Sequence, residues 1–280
     1  MATNNSGDIF GREAFRASHP GLLLAIALLC SMLPGLSGSR TALASPADNP
    51  FAARMLREFN KTRAAWLASP TNTAACWNFG RASFDWAEFA TNDTQRAAVA
   101  EEGIRACRQA VAIAPNLAQA HYYLGMNLGQ LARTQTLGAI RLVSQMETSF
   151  IRAKELDASF DFAGPDRCLG LLYLDAPGWP ASIGDKPKAR EHLESAQALA
   201  PDHPENRLNL LEALVRWRDK KALPAALAET EKVLASARSR LTGEEWEASW
   251  ADWNNRFAVV RVKIKQRKLI PEKEKEKEKE

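Results

Sequence analysis

Three glycines at equal spacing constrain this chain more than any other feature. Gly80, Gly125 and Gly170 lie 45 residues apart, each directly after a large apolar residue, Phe79, Leu124 or Leu169. A second series, Ala110, Ala153 and Ala196, recurs every 43 residues. Cys107, Phe150 and Leu193 stand three residues before those alanines, and Pro115, Ala158 and Pro201 stand five after them. The segments align as ACRQAVAIAPN, SFIRAKELDAS and HLESAQALAPD. A fixed period of this kind marks a repeat array. Each repeat reads as two antiparallel helices. The first carries Gly where its partner crosses closely, the second carries Ala for the same reason, and Pro follows the last turn because it cannot continue the helix. Such a pair cannot bury its apolar face alone, so neighbouring pairs must stack.

These marks resemble the tetratricopeptide repeat. They predict an all-α, helix-pair solenoid with extended units and a C-terminal capping helix. A standard unit has about 34 residues, and these units are longer. The surplus in the second unit falls at Ala132 to Ile140, which has no Pro and is expected to lengthen helices, as in the first unit. In the third unit it falls at Ala176 to Asp185, where Pro177, Gly178, Pro180 and Gly184 require a loop. Asp185 then fits as N-cap, with Pro187 in the first helical turn. A looser fourth unit, Asn206 to Trp217 and Ala222 to Ala237, has Leu210-Leu211 in place of the Leu-Gly pair. Its helices are expected to sit further apart. Together the four pairs span 70–240.

Ahead of the array, 49–68 reads as a leading helix, with Asn49 as N-cap and Phe51, Met55, Phe59 and Trp66 among its apolar residues. After it, 242–268 reads as a capping helix that opens on a capping box, Thr242-Gly243-Glu244-Glu245. Trp246, Trp250, Trp253, Phe257 and Val260 follow in steps of three and four, which keeps them on one face. From 271 to 280 Lys and Glu alternate in a low-complexity tail.

The first 44 residues read as a signal peptide. Arg12 and Arg16 precede an apolar stretch from Gly21 to Leu33, and Ala42-Leu43-Ala44 supplies a cleavage pattern. The expected location is therefore the periplasm or the exterior. The alternative is an uncleaved leader that anchors the chain to the inner membrane, although the stretch is shorter than the about 20 residues of a usual span. Formal charge is +4, and about +3 without the leader. That is too small and too dispersed for a nucleic-acid partner. Cleavage leaves Cys76, Cys107 and Cys168, an odd number that is no disulfide framework. Two readings are open: a Cys76–Cys107 bridge between facing helices, or three small buried apolar residues.

The stretches His-Tyr-Tyr-Leu-Gly-Met-Asn-Leu-Gly-Gln-Leu-Ala-Arg (121–133) and Leu-Gly-Leu-Leu-Tyr-Leu-Asp-Ala-Pro-Gly-Trp-Pro-Ala-Ser-Ile-Gly-Asp (169–185) resemble the T component associated with TRAP transporters. The resemblance covers about 70 to 215. It implies a periplasmic lipoprotein without catalytic activity, assembled as a trimer and partnered with the transporter's solute-binding protein. The chain departs from that pattern in lacking a lipobox, since Leu29 precedes Cys30.

In a helix-pair solenoid the first helices line the concave face. Counting from the glycines places Tyr122, Met126, Gln130 and Arg133 there, then Arg167, Leu171 and Asp175, then Leu208, Asn209, Glu212 and Arg216. This mixture suits a peptide segment or a small amphipathic ligand. The same residues also fit packing between helices or ordinary surface pairing. Trp179, between two prolines in the 176–185 loop, either plugs a gap against the scaffold or serves as a recognition anchor.

Catalytic chemistry finds no footing in the sequence. His121, His192 and His203 have no metal-ligand spacing and no Cys-x-x-Cys occurs. Pro180-Ala181-Ser182-Ile183-Gly184 matches only the second half of a nucleophile elbow. The expectation is a non-enzymatic binding protein without cofactor or metal. Its partner is another protein, with a solute-binding protein of a TRAP-type system as the specific candidate. The alternatives are a carrier of a small amphipathic ligand and a ligand-free envelope scaffold.

Overall fold

The computed structural model describes residues 50–135 and 138–270. The signal-peptide reading, the Asn49 cap and the Lys/Glu tail fall outside them. The described residues form ten helices: α1 Pro50–Ala68, α2 Thr73–Ala87, α3 Asp93–Ile113, α4 Ala118–Ala132, α5 Ala139–Leu156, α6 Phe160–Asp175, α7 Lys186–Leu199, α8 Pro204–Trp217, α9 Leu223–Ala237 and α10 Glu244–Gln266. Consecutive helices pack as pairs, α2 with α3, α4 with α5, α6 with α7 and α8 with α9. First helices also touch across the stack, α2 with α4, α4 with α6 and α6 with α8. The fold is an all-α helix-pair solenoid of tetratricopeptide type.

The two periodic series meet inside each pair. A Cβ on Gly80 would sit 2.1 Å from Cys107 Sγ, one on Gly125 2.5 Å from the Phe150 ring, and one on Gly170 2.7 Å from Leu193 Cγ. The residue three before each alanine is therefore the one that lies on each glycine. Ala110, Ala153 and Ala196 are themselves fully buried. Packing at this density leaves no room for a methyl group. It also settles the cysteines: Cys76, Cys107 and Cys168 are free and buried, so the Cys76–Cys107 bridge is not formed.

Two local expectations are corrected. The surplus in the second unit does not lengthen helices throughout, because α4 ends at Ala132 and α5 begins only at Ala139. In the first unit the surplus does extend a helix, since α3 runs for 21 residues. The capping box is not made either. Gly243 is the N-cap of α10 at φ 104°, and no side chain caps it.

The capping helix buries its tryptophans. Trp246, Trp250 and Trp253 are 4, 5 and 0% exposed. Trp250 and Trp253 meet edge to face at 4.9 Å. Each of these two indoles keeps a hydrogen bond, Trp250 Nε1 donating to Leu241 O and Trp253 Nε1 to Glu205 Oε2, both at 2.7 Å. Burial of this order contributes a few kcal/mol per Trp at about 25 cal/mol per Å². α10 packs against α8 and closes the array.

Candidate partner-binding surface

The inner faces of the first helices are tied to one another by polar contacts. Arg133 donates to Glu88 Oε1 and Oε2 at 3.1 and 3.2 Å, and Gln130 donates to Glu88 as well. This links the end of α2 to α4. At the far end of the stack Arg256 of α10 reaches back to α8. It donates to Glu205 Oε1 at 2.7 Å, to Glu212 at 3.0 and 2.8 Å, to Asn209, and to Asp252 within α10 at 3.2 Å. Burial alone would raise the Glu205 carboxyl, but Arg256 and Arg167 outweigh it and hold it at about 2. Asp252 moves the other way, up to about 6, through burial and the repulsion of Glu205.

Between α4, α6 and α8 lies a second enclosed network. Tyr122 Oη donates to Asp161 Oδ2 at 2.6 Å, and Arg167 donates to the same oxygen at 2.8 Å. Arg167 also donates to the carbonyls of Asp161 and Phe162, both at 3.2 Å, and to Asn206 Oδ1 at 3.1 Å. The backbone explains why so many donors converge here. Asp161, Phe162 and Ala163 lie at φ 50°, 52° and 61°, a left-handed turn of three non-glycine residues. Such a conformation costs about 1–2 kcal/mol per residue. Arg167 and Asn206 hold its carbonyls in place. Gly164 follows because a Cβ there would sit 2.7 Å from Tyr122 Oη. Burial raises Asp161, against the pull of Arg167 and Tyr122.

The other end of α6 is built differently. Asp175 is buried and accepts from Arg216 through Oδ1, while its buried Oδ2 has no hydrogen-bond partner among the described residues. Burial lifts its carboxyl to about 6, against the pull of Arg216. The Arg216 side chain is 55% exposed. The loop that follows is closed by its own backbone. Gly184 N donates to Pro177 O at 2.8 Å, Asp185 N to Tyr173 O at 3.0 Å, and Ala181 N to Gly178 O at 3.1 Å. A Cβ on Gly184 would lie 2.0 Å from Ala176 O, so only glycine allows this closure. Asp185 caps α7 by accepting from Lys188 N at 2.9 Å. From this pinned loop Trp179 projects into solvent, 88% exposed. Lys186, just past the loop, and Arg190 lie over the Trp217 ring at 5.5 and 4.9 Å.

The expected concave residues thus divide. Tyr122, Met126, Leu171, Leu208 and Asn209 are buried among helices, and Gln130 and Arg167 are buried with polar partners. They build the wall and offer no open surface, because the first helices approach closely enough to cover them. Arg133 and Glu212 are half-buried in ion pairs. Asp175, Arg216 and Trp179 fall at one rim, the C-terminal end of α6 and the loop that leaves it. Trp179 does not plug the scaffold. Sequence reasoning missed Glu88, Asp161, Asn206, Glu205 and Arg256. Each has a partner 39 to 51 residues away, which no local pattern signals.

A family model described as "Regulator of microtubule dynamics protein 1-3" matches residues 42–158. No curated protein matches the chain. A thermophilic TPR protein of Thermus thermophilus, known from its crystal structure, is similar at 17% identity and a TM-score of 0.53. The similarity covers 75% of this chain and 92% of that one. The likeness to that structure is one of fold, and with the helix-pair stacking above it makes this chain a TPR-like helical repeat protein.

Proposed function

We propose that this chain is an exported helical-repeat protein that binds another protein at the rim formed by Asp175, Arg216 and the 176–185 loop. One observation carries the reading: a tryptophan 88% exposed on a loop pinned by backbone hydrogen bonds. An indole in that setting gains area on binding and loses little conformational freedom. Arg216 adds a half-exposed guanidinium at the same rim. The family-model match ends at 158, before α6 and this loop begin. The microtubule role in that family's description therefore does not reach the proposed rim. The narrower proposal is a periplasmic accessory of a TRAP-type uptake system that assembles as a trimer and partners a solute-binding protein. It rests on the leader-like first 44 residues and on the resemblance of 121–133 and 169–185.

A photo-crosslinking side chain placed at 179 in growing cells tests both levels. The proposal expects one dominant adduct from 179 and none from a control at Arg105 on α3. A solute-binding protein in that adduct supports the narrower form. Equal, diffuse labelling from both positions would defeat the rim as a site.

A further inference from the structure

The outer face of α10 carries a pattern that closing the array does not require. Its inner face is spent on Trp253, Val260 and Ile264, all buried. On the opposite side Ala251, Asn255, Ala258 and Val262 follow one another in steps of four, three and four, and all are exposed. Val259 lies beside them, and Val259 and Val262 are 42 and 53% exposed. At 100° per residue, Lys265 and Arg261 flank this line on one side, Arg261 also lying 3.9 Å from Glu231 of α9, and Lys263 flanks it on the other. Arg267 and Lys268 continue the positive charge past the helix end. From Asn254 to Ile270 there is no Asp or Glu. Of the helix acids, Glu244, Glu245 and Glu247 sit in the first turn, at the other end, and Asp252 is paired with Arg256.

We propose that this face docks on an anionic lipid surface. A face of small and aliphatic residues with Arg261 and Lys265 on one edge and Lys263 on the other suits a helix lying against a headgroup layer, where long basic side chains reach the phosphates. The cations are strung along the helix and converge on no single point. That suits a spread-out anionic layer better than one fixed carboxylate. No described helix is long and apolar enough to cross a membrane, so the contact is peripheral.

The test is sedimentation of the full chain with phosphatidylglycerol–phosphatidylcholine vesicles and with pure phosphatidylcholine vesicles. Each basic residue near an anionic surface changes partitioning about fivefold. The double variant K263E/K265E is expected to bind anionic vesicles at least tenfold more weakly, with an unchanged melting curve because both side chains are exposed. K263Q/K265Q, which only neutralises, shows a smaller loss in the same direction. The apolar stretch at Gly21–Leu33 contributes equally to all three proteins and so drops out of the comparison. Binding to anionic vesicles no stronger than to neutral ones overturns the proposal, as does equal binding by K263E/K265E. Retention on immobilised polyglutamate without any vesicle preference also overturns it, and assigns the face to an acidic protein.

Discussion

The two ends of α6 use the same residue types to opposite ends. At its start, Arg167 is buried and Asp161 nearly so, and Tyr122 and Asn206 hydrogen-bond to the pair. At its finish, Asp175 keeps one buried oxygen without a partner, and Arg216 stands half in solvent. The first arrangement fixes a strained turn and leaves nothing for a partner to complete. The second leaves an acceptor, a cation and an exposed indole at one edge. What separates the two ends is how far each set is satisfied within the chain.

The largest effect is expected at the closed end. Arg167→Met removes the cation that holds Asp161 and the two left-handed carbonyls, and leaves the carboxylate buried. Loss of one partner from such a set costs about 3–5 kcal/mol, and urea unfolding would show it. A loss below about 1 kcal/mol would mean that the network is no strut.

Glycine offers an intermediate contrast along the same segment. Gly170→Ala forces a methyl against Leu193 at 2.7 Å, whereas a Cβ on Gly178 meets nothing nearer than Gly184 O at 3.7 Å. Overpacking of the first kind costs about 1–3 kcal/mol. Gly178→Ala should leave the melting temperature nearly unchanged. Equal effects at the two positions would break the distinction between packed helix and open loop.

The contrast behind these expectations was only partly legible in the sequence. The Gly and Ala series announced the contacts of Gly80, Gly125 and Gly170, because each pairing repeats at nearly constant separation. The strained turn at 161–163 was not legible. Asp-Phe-Ala before Gly-Pro has the pattern of an ordinary helix start, and the groups that stabilise it come from α4 and α8 as well as from α6 itself. The prolines and glycines of 176–185 place Trp179 in a loop, but its exposure depends on how Gly184 lets that loop close on itself. The capping box failed for a similar reason, since a positive φ at Gly243 redirects the chain.

A smaller effect follows pH, and burial gives it the same sign at both ends of α6. Asp175 titrates at about 6 in the folded protein, above the usual carboxylate range. The folded state therefore binds more protons than the unfolded state between about pH 4 and 6. This group's contribution is most favourable below that window and is lost as pH rises through it. Asp252, also raised to about 6, adds a slope of the same sign. Asp175→Asn should remove part of that slope and gain about 1 kcal/mol at pH 8. Unfolding curves at about pH 4 and about pH 8, on either side of the window, check this. An unchanged slope would show that Asp175 is already satisfied.

The most direct test of the account is Trp179→Ala, read by thermal melting and by partner binding on the same preparation. Truncating an exposed anchor of this kind removes about 2–4 kcal/mol of binding. An unaltered melting temperature together with at least a tenfold loss of affinity for the protein crosslinked at 179 is expected. A lowered melting temperature with unchanged affinity would contradict it and return Trp179 to the scaffold.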